Sequence, residues 1–485
     1  MLSFAFAKRH HVLVEQDNDS AATAVFLTPD TSGDALLEVQ RVVNGPFEII
    51  ELDMPAFNKR LQQSYENGAL RTEQTMADLG AEINLDQLAN ELNEPADLLE
   101  SADDAPIIKL LNALLAEAIR ENASDIHIEP FEDKLVVRLR VDGVLREVMQ
   151  PPGAIGPLVI SRIKVMAKLD IAEKRLPQDG RISLRVANRP VDVRVSTMPS
   201  GHGERVVMRL LDKQAGRLEL NQIGMDPETT EILDDIIHRT HGIFLVTGPT
   251  GSGKTTTLYA ALARLNDQSR NIMTVEDPIE YFIDGIAQSQ VNTKVDMSFA
   301  RGLRAILRQD PDVVMVGEIR DLETAQIAIQ ASLTGHMVFS TLHTNTAVGA
   351  ITRLRDMGAE PFLLASSVVG VLAQRLVRLL CSECKTAKTA DEIVQRRLLL
   401  TANTEVYGAV GCDSCHQTGY KGRTAIYELI KFDDKLRQLV HDGASEQAIT
   451  AHVRQSSEDI MSQGIDAVVN GQTTPEELLR VMQSI

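Results

Sequence analysis

Apolar positions over the first eighty residues fall into short clusters separated by polar breaks. Val12-Leu13-Val14, Ala24-Val25-Phe26-Leu27 and the run 47–52 read as strands. Pro55 to Tyr65 reads as a helix with proline in its first turn. These elements predict a small N-terminal α/β domain over residues 1–80. Residues 81–104 lack a wide apolar face and end Glu94-Pro-Ala-Asp-Leu-Leu-Glu-Ser-Ala-Asp-Asp104, which predicts an acidic linker. From 105 the pattern sharpens. Pro106 to Arg120 has helical periodicity, with Asp104 placed as a cap. Leu135 to Arg146 alternates around Asp142-Gly143, a pair that favours a tight hairpin turn. Two more alternating runs, Arg181 to Val186 and Val191 to Val195, are followed by Glu204 to Leu210. Residues 105–215 therefore read as an α+β domain on an antiparallel sheet.

Beyond 216 strands and helices alternate to the end of the chain, the pattern of a parallel α/β domain. A cysteine-bearing segment, 378–424, interrupts it. The last helix opens on Thr474-Pro475-Glu476-Glu477, a capping box with proline at the first helical position. The longest mostly apolar run, Phe362 to Ala373, is 12 residues long. It is too short to span a bilayer and reads as a buried helix.

Composition narrows the functional classes. A chain of 485 residues with 44% apolar residues has material for several cores, and with no tryptophan and 4% aromatics those cores must be aliphatic. The formal charge of -19 disfavours nucleic-acid phosphates and anionic lipid as non-specific partners. The apolar stretch before Lys8-Arg9 is too short for a secretory signal. The expectation is a soluble, cytoplasmic protein that reaches a membrane only through a protein partner.

Chemistry enters at Ile243 to Thr247, an apolar strand that runs into Gly248-Pro249-Thr250-Gly251-Ser252-Gly253-Lys254-Thr255 and then into a helical segment. This is the G-x-x-x-x-G-K-[ST] loop in its strand–loop–helix setting. Its glycines let successive N–H groups face phosphate oxygens, and the helix N-terminus adds positive dipole. Lys254 can reach the β- and γ-phosphates of ATP, and Thr255 can ligate Mg²⁺. Such a loop needs acids opposite it. Pro311 to Gly317 is an apolar strand ending in Glu318, with glycine where an aspartate is usual; Thr274 to Glu280 supplies Glu276 and Asp277. Glu276 is the first choice for orienting or deprotonating the attacking water, with Glu318 sharing that role or holding Mg²⁺.

Arg301, Arg304 and Arg308 are spaced to share one helix face, which suits a phosphate clamp, a subunit interface or a solvated stripe. His336 and His343 flank an apolar strand, as γ-phosphate sensors or as satisfied structural histidines. The four cysteines, Cys381, Cys384, Cys412 and Cys415, form two C-x₂-C knuckles that together complete a tetrahedral Cys₄ site for a structural Zn²⁺. Redox pairs are the alternative.

In this order the P-loop, the acidic 274–280 segment, Gly317-Glu318, the histidine box ending Thr341-Leu-His-Thr-Asn-Thr346 and the tetracysteine module resemble the secretion ATPase family of RecA-like P-loop NTPases, the ATPases of type II secretion in particular. Asp142 to Glu147 and Arg175 to Arg181 are similar to that family's second domain. The resemblance is strong over 105–485 and loose over 1–80. It implies a RecA-like ATPase domain with an inserted tetracysteine zinc module, preceded by an α+β (PAS-like) domain and a small N-terminal domain. It implies a homo-hexamer in which the second domain closes over the nucleotide. There Arg194 and Arg209 match nucleotide-facing arginines, Arg304 and Arg308 match those of the motor domain, and His343 lies in the family's histidine box. It further implies docking of the N-terminal domain on the inner-membrane L component, with the F component a second candidate partner, and ATP-driven pseudopilus assembly. A type IV pilus assembly ATPase shares every nucleotide motif and is the nearest rival. A nucleic-acid motor and a scaffold that only binds ATP are the rivals from other classes.

Overall fold

The computed structural model describes residues 10–16, 23–29, 31, 39, 43, 47–54, 56, 57 and 60, then 105–186, 189–212, 220–267 and 269–482. The expected linker over 81–104, with its Asp104 cap, and most of the expected helix over 55–65 lie outside them. The chain divides into two compact units, Met1–Asp212 and Lys213–Ile485.

In the first unit, strands β1 (Val12–Gln16), β2 (Thr23–Leu27) and β3 (Phe47–Glu51) form one sheet. The first pair is antiparallel and the second parallel. Val12, Val14 and Val25 face one small core, while Leu13 and Phe26 pack with Phe57 on the other side, as period-two alternation requires.

The same unit holds a second sheet. Helix α1 (Ala105–Arg120) precedes β4 (Asp125–Pro130), β5 (Leu135–Val141), β6 (Val144–Met149), helix α2 (Gly156–Met166), β7 (Gln178–Val186), β8 (Arg189–Ser200) and β9 (Gly203–Asp212). The six strands run in the order β6-β5-β4-β9-β8-β7, antiparallel throughout. Asp142 (φ 48°) and Gly143 (φ 82°) turn the β5–β6 hairpin, both at positive φ as a two-residue type I′ turn demands. One face of the sheet is apolar. Ile126, Ile128, Val137, Leu139, Val193, Val206 and Met208 pack there against α1 and α2.

In the second unit α3 (Pro227–Ile237) is capped by Asp226, whose carboxylate accepts from the Thr229 N–H. There follow β10 (Gly242–Thr247), α4 (Lys254–Leu265), β11 (Ile272–Glu276), β12 (Ala287–Gln290), α5 (Phe299–Ile306), β13 (Val313–Val316), α6 (Leu322–Leu333), β14 (Met337–Leu342), α7 (Ala347–Asp356), α8 (Pro361–Ser367) and β15 (Val368–Leu380). β16 (Thr386–Thr389), α9 (Glu392–Leu398), β17 (Glu405–Gly408), β18 (Tyr420–Lys431), α10 (Asp434–His441), α11 (Glu446–Val453), α12 (Ile460–Val469) and α13 (Pro475–Met482) complete it. The seven-stranded sheet runs β12-β11-β13-β14-β10-β15-β18. Aliphatic cores cover both of its faces, as a mostly parallel sheet requires.

Four expectations need correction. The sheet is parallel only as far as β15, because β18 returns antiparallel to it after the cysteine segment. The run Phe362 to Ala373 is not one buried helix; it is α8 followed directly by the start of β15. Val368-Val369 favours the extended state, and a Cβ on Gly370 would lie 2.9 Å from Ile236, so close strand packing decides the segment. The capping box of α13 is half made. Thr474 Oγ1 accepts from the Glu477 N–H at 3.1 Å, but the Glu477 carboxylate binds Arg378 and Arg480 instead of reaching back. Finally, α5 ends at Ile306, so Arg308 stands in the turn beyond it and not on the face of Arg301 and Arg304.

Candidate functional site: a phosphate loop and a cysteine cluster

β10 is fully buried between β14 and β15, and its C-terminal end delivers the loop 248–253 to the N-terminus of α4. The glycines follow from the space available. A Cβ on Gly248 (φ 148°) would lie 2.4 Å from the Gln374 carbonyl, and one on Gly253 (φ 89°) 2.8 Å from Gln374 Nε2. Gln374 of β15 lies beneath the loop and accepts the Thr257 hydroxyl at 2.7 Å. Thr250 and Thr255 are exposed, whereas Ser252 Oγ is buried without a hydrogen-bond partner. An orphaned hydroxyl, an open threonine and a glycine-lined turn on a helix N-terminus fit a bound polyphosphate.

Lys254 is 8% exposed, and its ammonium donates to the carbonyls of Gly248 at 2.8 Å and Pro249 at 3.1 Å. Burial pulls its pKa down to about 8; the Arg375 charge pulls the same way and Glu318 opposes. Glu318 follows β13 at the sheet's C-terminal edge. It pairs with Arg320, and its Oε2 lies 3.3 Å from His343 Nε2. Burial, and after it Lys254, lower the His343 pKa, so this histidine is neutral at pH 7. His336 bonds the Ala331 carbonyl through Nδ1 at 2.9 Å, as a satisfied structural histidine does.

Glu276 ends β11 and is 3% exposed. Oε1 accepts the Thr274 hydroxyl at 2.5 Å and Gln288 Nε2 at 3.1 Å; Oε2 accepts the Tyr259 hydroxyl. Burial, then the Glu276 charge, drive the Tyr259 pKa upward, so this phenol stays protonated and remains a donor. Tyr259, Gln288 and Arg375 escape sequence reasoning. A polar Gln374-Arg375 pair in the middle of β15, directly after the apolar run Val371–Ala373, is the one signal that points to any of them.

The arginines divide. Arg301 pairs with Asp296 and Arg304 with Glu323, each at 2.7 Å, while Arg308 donates to the Arg304 carbonyl at 2.8 Å. In the first unit Arg181, Arg194, Arg209, Asp125 and Arg140 are consecutive cross-strand partners on β7, β8, β9, β4 and β5. Asp125 is the lone acid in that row, 2.9 Å from Arg209 and 3.6 Å from Arg140. Like charges directly opposite one another weaken a sheet, which makes the three adjacent arginines an unfavourable arrangement for the strands alone.

Between β15 and β18 the four thiols converge, with all four sulfurs within 4.8 Å of one another. Cys381–Cys412 and Cys384–Cys415 are 3.8 Å apart and Cys412–Cys415 is 3.7 Å. Four thiolates around one Zn²⁺ at about 2.3 Å stand roughly 3.8 Å apart, so the donor set fits a tetrahedral metal and is too open for disulfides. Burial opposes ionisation of Cys415, but N–H groups of Cys412 and Gly419, each 3.2 Å from its sulfur, bring its pKa down to about 6.

Among the described residues no helix is long and apolar enough to cross a membrane. The type II/IV secretion system protein family matches residues 100–480, and an N-terminal domain family of GSPII protein E matches residues 1–65. The chain is 58% identical over 484 residues to the type II secretion system ATPase E of Vibrio cholerae serotype O1, covering 99% of this chain and 96% of that protein. It is 58% identical over 482 residues to the type II secretion system protein E of Pseudomonas aeruginosa, with the same coverage. Among solved structures it is similar to the Legionella pneumophila ATPase DotB, at TM-score 0.58 and 22% identity over 78% of this chain and 96% of that one. It is also similar to the pilus retraction motor PilT with bound ADP, at TM-score 0.52 and 27% identity over 76% and 95%. A P-loop on a RecA-like sheet, a tetracysteine cluster inserted at its edge and family matches along nearly the whole chain lead to one conclusion: this protein belongs to the type II/IV secretion system family, the secretion ATPases.

Proposed function

We propose that the protein hydrolyses ATP at the Gly248–Thr255 loop to power type II secretion. The observation that carries this reading is the placement of Lys254: buried at a helix N-terminus, resting on two loop carbonyls, with Glu318 and His343 beside it. Loop N–H groups of residues 248–255 receive the β- and γ-phosphates, and the Lys254 ammonium moves from the carbonyls to the phosphate oxygens. The Thr255 hydroxyl and Glu318 would hold Mg²⁺, which would supply positive charge against the phosphates. A carboxylate offers about four acceptor positions, and Glu276 uses three on Thr274, Gln288 and Tyr259. That leaves one acceptor position for the attacking water, which Glu276 orients and deprotonates in this reading.

Arg194 and Arg209 reach the nucleotide by closure of the second domain within a homo-hexamer, and their placement side by side on β8 and β9 supports that role. Arg304 serves the nucleotide only after leaving Glu323, and Arg308 from its turn position. Zn²⁺ on Cys381, Cys384, Cys412 and Cys415 is structural, since no fourth position stays open. The N-terminal domain docks on the inner-membrane L component, with F a second contact, which holds a cytoplasmic motor at the inner membrane for pseudopilus assembly. The match of residues 1–65 to an N-terminal domain of GSPII protein E supports this docking role. The test is a pull-down of the full chain with cytoplasmic domains of candidate inner-membrane proteins. Capture by a type II secretion component, lost when residues 1–90 are removed, agrees with the reading. Capture only by a pilus-assembly platform contradicts it.

A further inference from the structure

Arg375 in β15 is 1% exposed and heads the largest fully buried side chains among the described residues. Its Nη2 donates to the Asn345 carbonyl and to Asn345 Oδ1, each at 3.1 Å, and its Nη1 to the Gln374 carbonyl at 3.3 Å. Its Nε is buried without a partner, and among the described residues its hydrogen bonds all go to carbonyl or amide oxygens. A buried guanidinium held only by neutral oxygens is expensive, because a low-dielectric site penalises a charge that nothing opposes.

The location explains why the penalty is tolerable. Gln374, the preceding residue, supports Gly248 and Gly253 of the phosphate loop. The Arg375 charge is felt at Lys254. Asn345 follows Thr344, whose N–H donates to Thr247 Oγ1 at 2.9 Å, and Thr344 follows His343 beside Glu318. The guanidinium thus ties the histidine-bearing loop 343–346 to the strand beneath the phosphates. Arg375 and Glu318 are the two side-chain charges felt at Lys254, and Glu318 is already engaged with Arg320 and His343.

We propose that Arg375 is a positioning residue whose buried charge is balanced by the nucleotide's phosphates, so that a filled site locks the 343–346 loop and an empty one leaves it strained. This rests on the P-loop reading above. It assigns a role to a residue on the sheet face away from α4, outside every motif.

The test compares the full-length protein with Arg375→Met and Arg375→Lys, measuring Mg·ATP affinity by calorimetry and the apo melting temperature. Arg375→Met should melt at or above the wild-type temperature without nucleotide, because an unopposed buried charge is gone. It should bind Mg·ATP roughly 10- to 100-fold more weakly. Arg375→Lys should keep affinity within about threefold, since it keeps the charge. A lower apo melting temperature together with unchanged affinity in Arg375→Met would make the arginine a plain structural tether. Should Arg375→Met fail to fold, hydrogen exchange on the wild type decides: Mg·ATP should protect the amides of residues 343–346, and unchanged exchange there overturns the proposal. Absence of any Mg·ATP binding by the wild type refutes the P-loop reading itself, a different failure.

Discussion

The hydroxyl of Tyr259 donates to Oε2 of Glu276, joining the phosphate-loop helix to the acid at the end of the neighbouring strand, and both residues are buried. The bond fixes the plane of a carboxylate that would otherwise rotate. Tyr259→Phe keeps the ring packed edge-on to Tyr281 and removes this donor, together with a longer 3.4 Å acceptor contact to each of the Glu280 N–H and Gln288 Nε2. The expected result is a roughly tenfold lower kcat with little change in KM, because the loss falls on the step that uses Glu276 and not on phosphate binding. Stability should drop by about 1–3 kcal/mol in chemical denaturation. A KM effect with unchanged kcat would contradict it.

Lys254 gives a pH signature. Its pKa in the folded protein is about 8, below the usual lysine value, so above that pH the unfolded chain binds more protons than the folded one. The penalty is therefore full below pH 8 and relieved as pH rises toward about 10.4. Stability of the wild type relative to Lys254→Met should rise between pH 8 and pH 10. Phosphate contacts restore the charge, so Mg·ATP binding at about pH 8.5 should take up a fraction of a proton. Calorimetry in buffers of different ionisation enthalpy reads that uptake directly.

How much of this was legible from residues alone varied with the range of the interaction. The Asp142-Gly143 turn, the glycine loop and the paired C-x₂-C knuckles carry their geometry in a few consecutive positions, so pattern and chemistry coincide. The run 362–373 misled, because an apolar dozen reads equally as helix or strand and only the close approach of Ile236 to Gly370 separates them. Arg308 lost its place on a helix face through a helix that stops two residues early. Tyr259, 17 residues from Glu276, and Gln288, 12 residues away, acquire meaning only when β11, β12 and α4 meet. Arg375 sits in the same class, 30 residues from Asn345.

The cysteine cluster predicts one Zn²⁺ per chain by elemental analysis. Cys381→Ser or Cys415→Ser should release it and loosen residues 381–420 first, since metal binding is part of that segment's folding energy. Limited proteolysis should cut there after chelation while the P-loop core stays intact. Metal-free protein with the segment still protected would contradict the Cys₄ assignment.

The arginine row predicts an effect at a distance from the P-loop. Arg209→Ala should lower kcat by roughly tenfold or more at unchanged zinc content. Loss of the Asp125 pair alone costs little, because the Arg209 side chain is 58% exposed. Wild-type turnover in both Arg194→Ala and Arg209→Ala would reduce the row to sheet-surface charge.

ATP turnover by Lys254→Ala tests the central claim most directly. The lysine ammonium donates to two loop carbonyls, so the variant should fold, retain its metal and elute as the wild type does. Its steady-state hydrolysis should fall to background, a loss of roughly 100-fold or more, because nothing else in the loop carries a positive charge to the β- and γ-phosphates. Hydrolysis at the wild-type rate by folded Lys254→Ala protein would contradict the account.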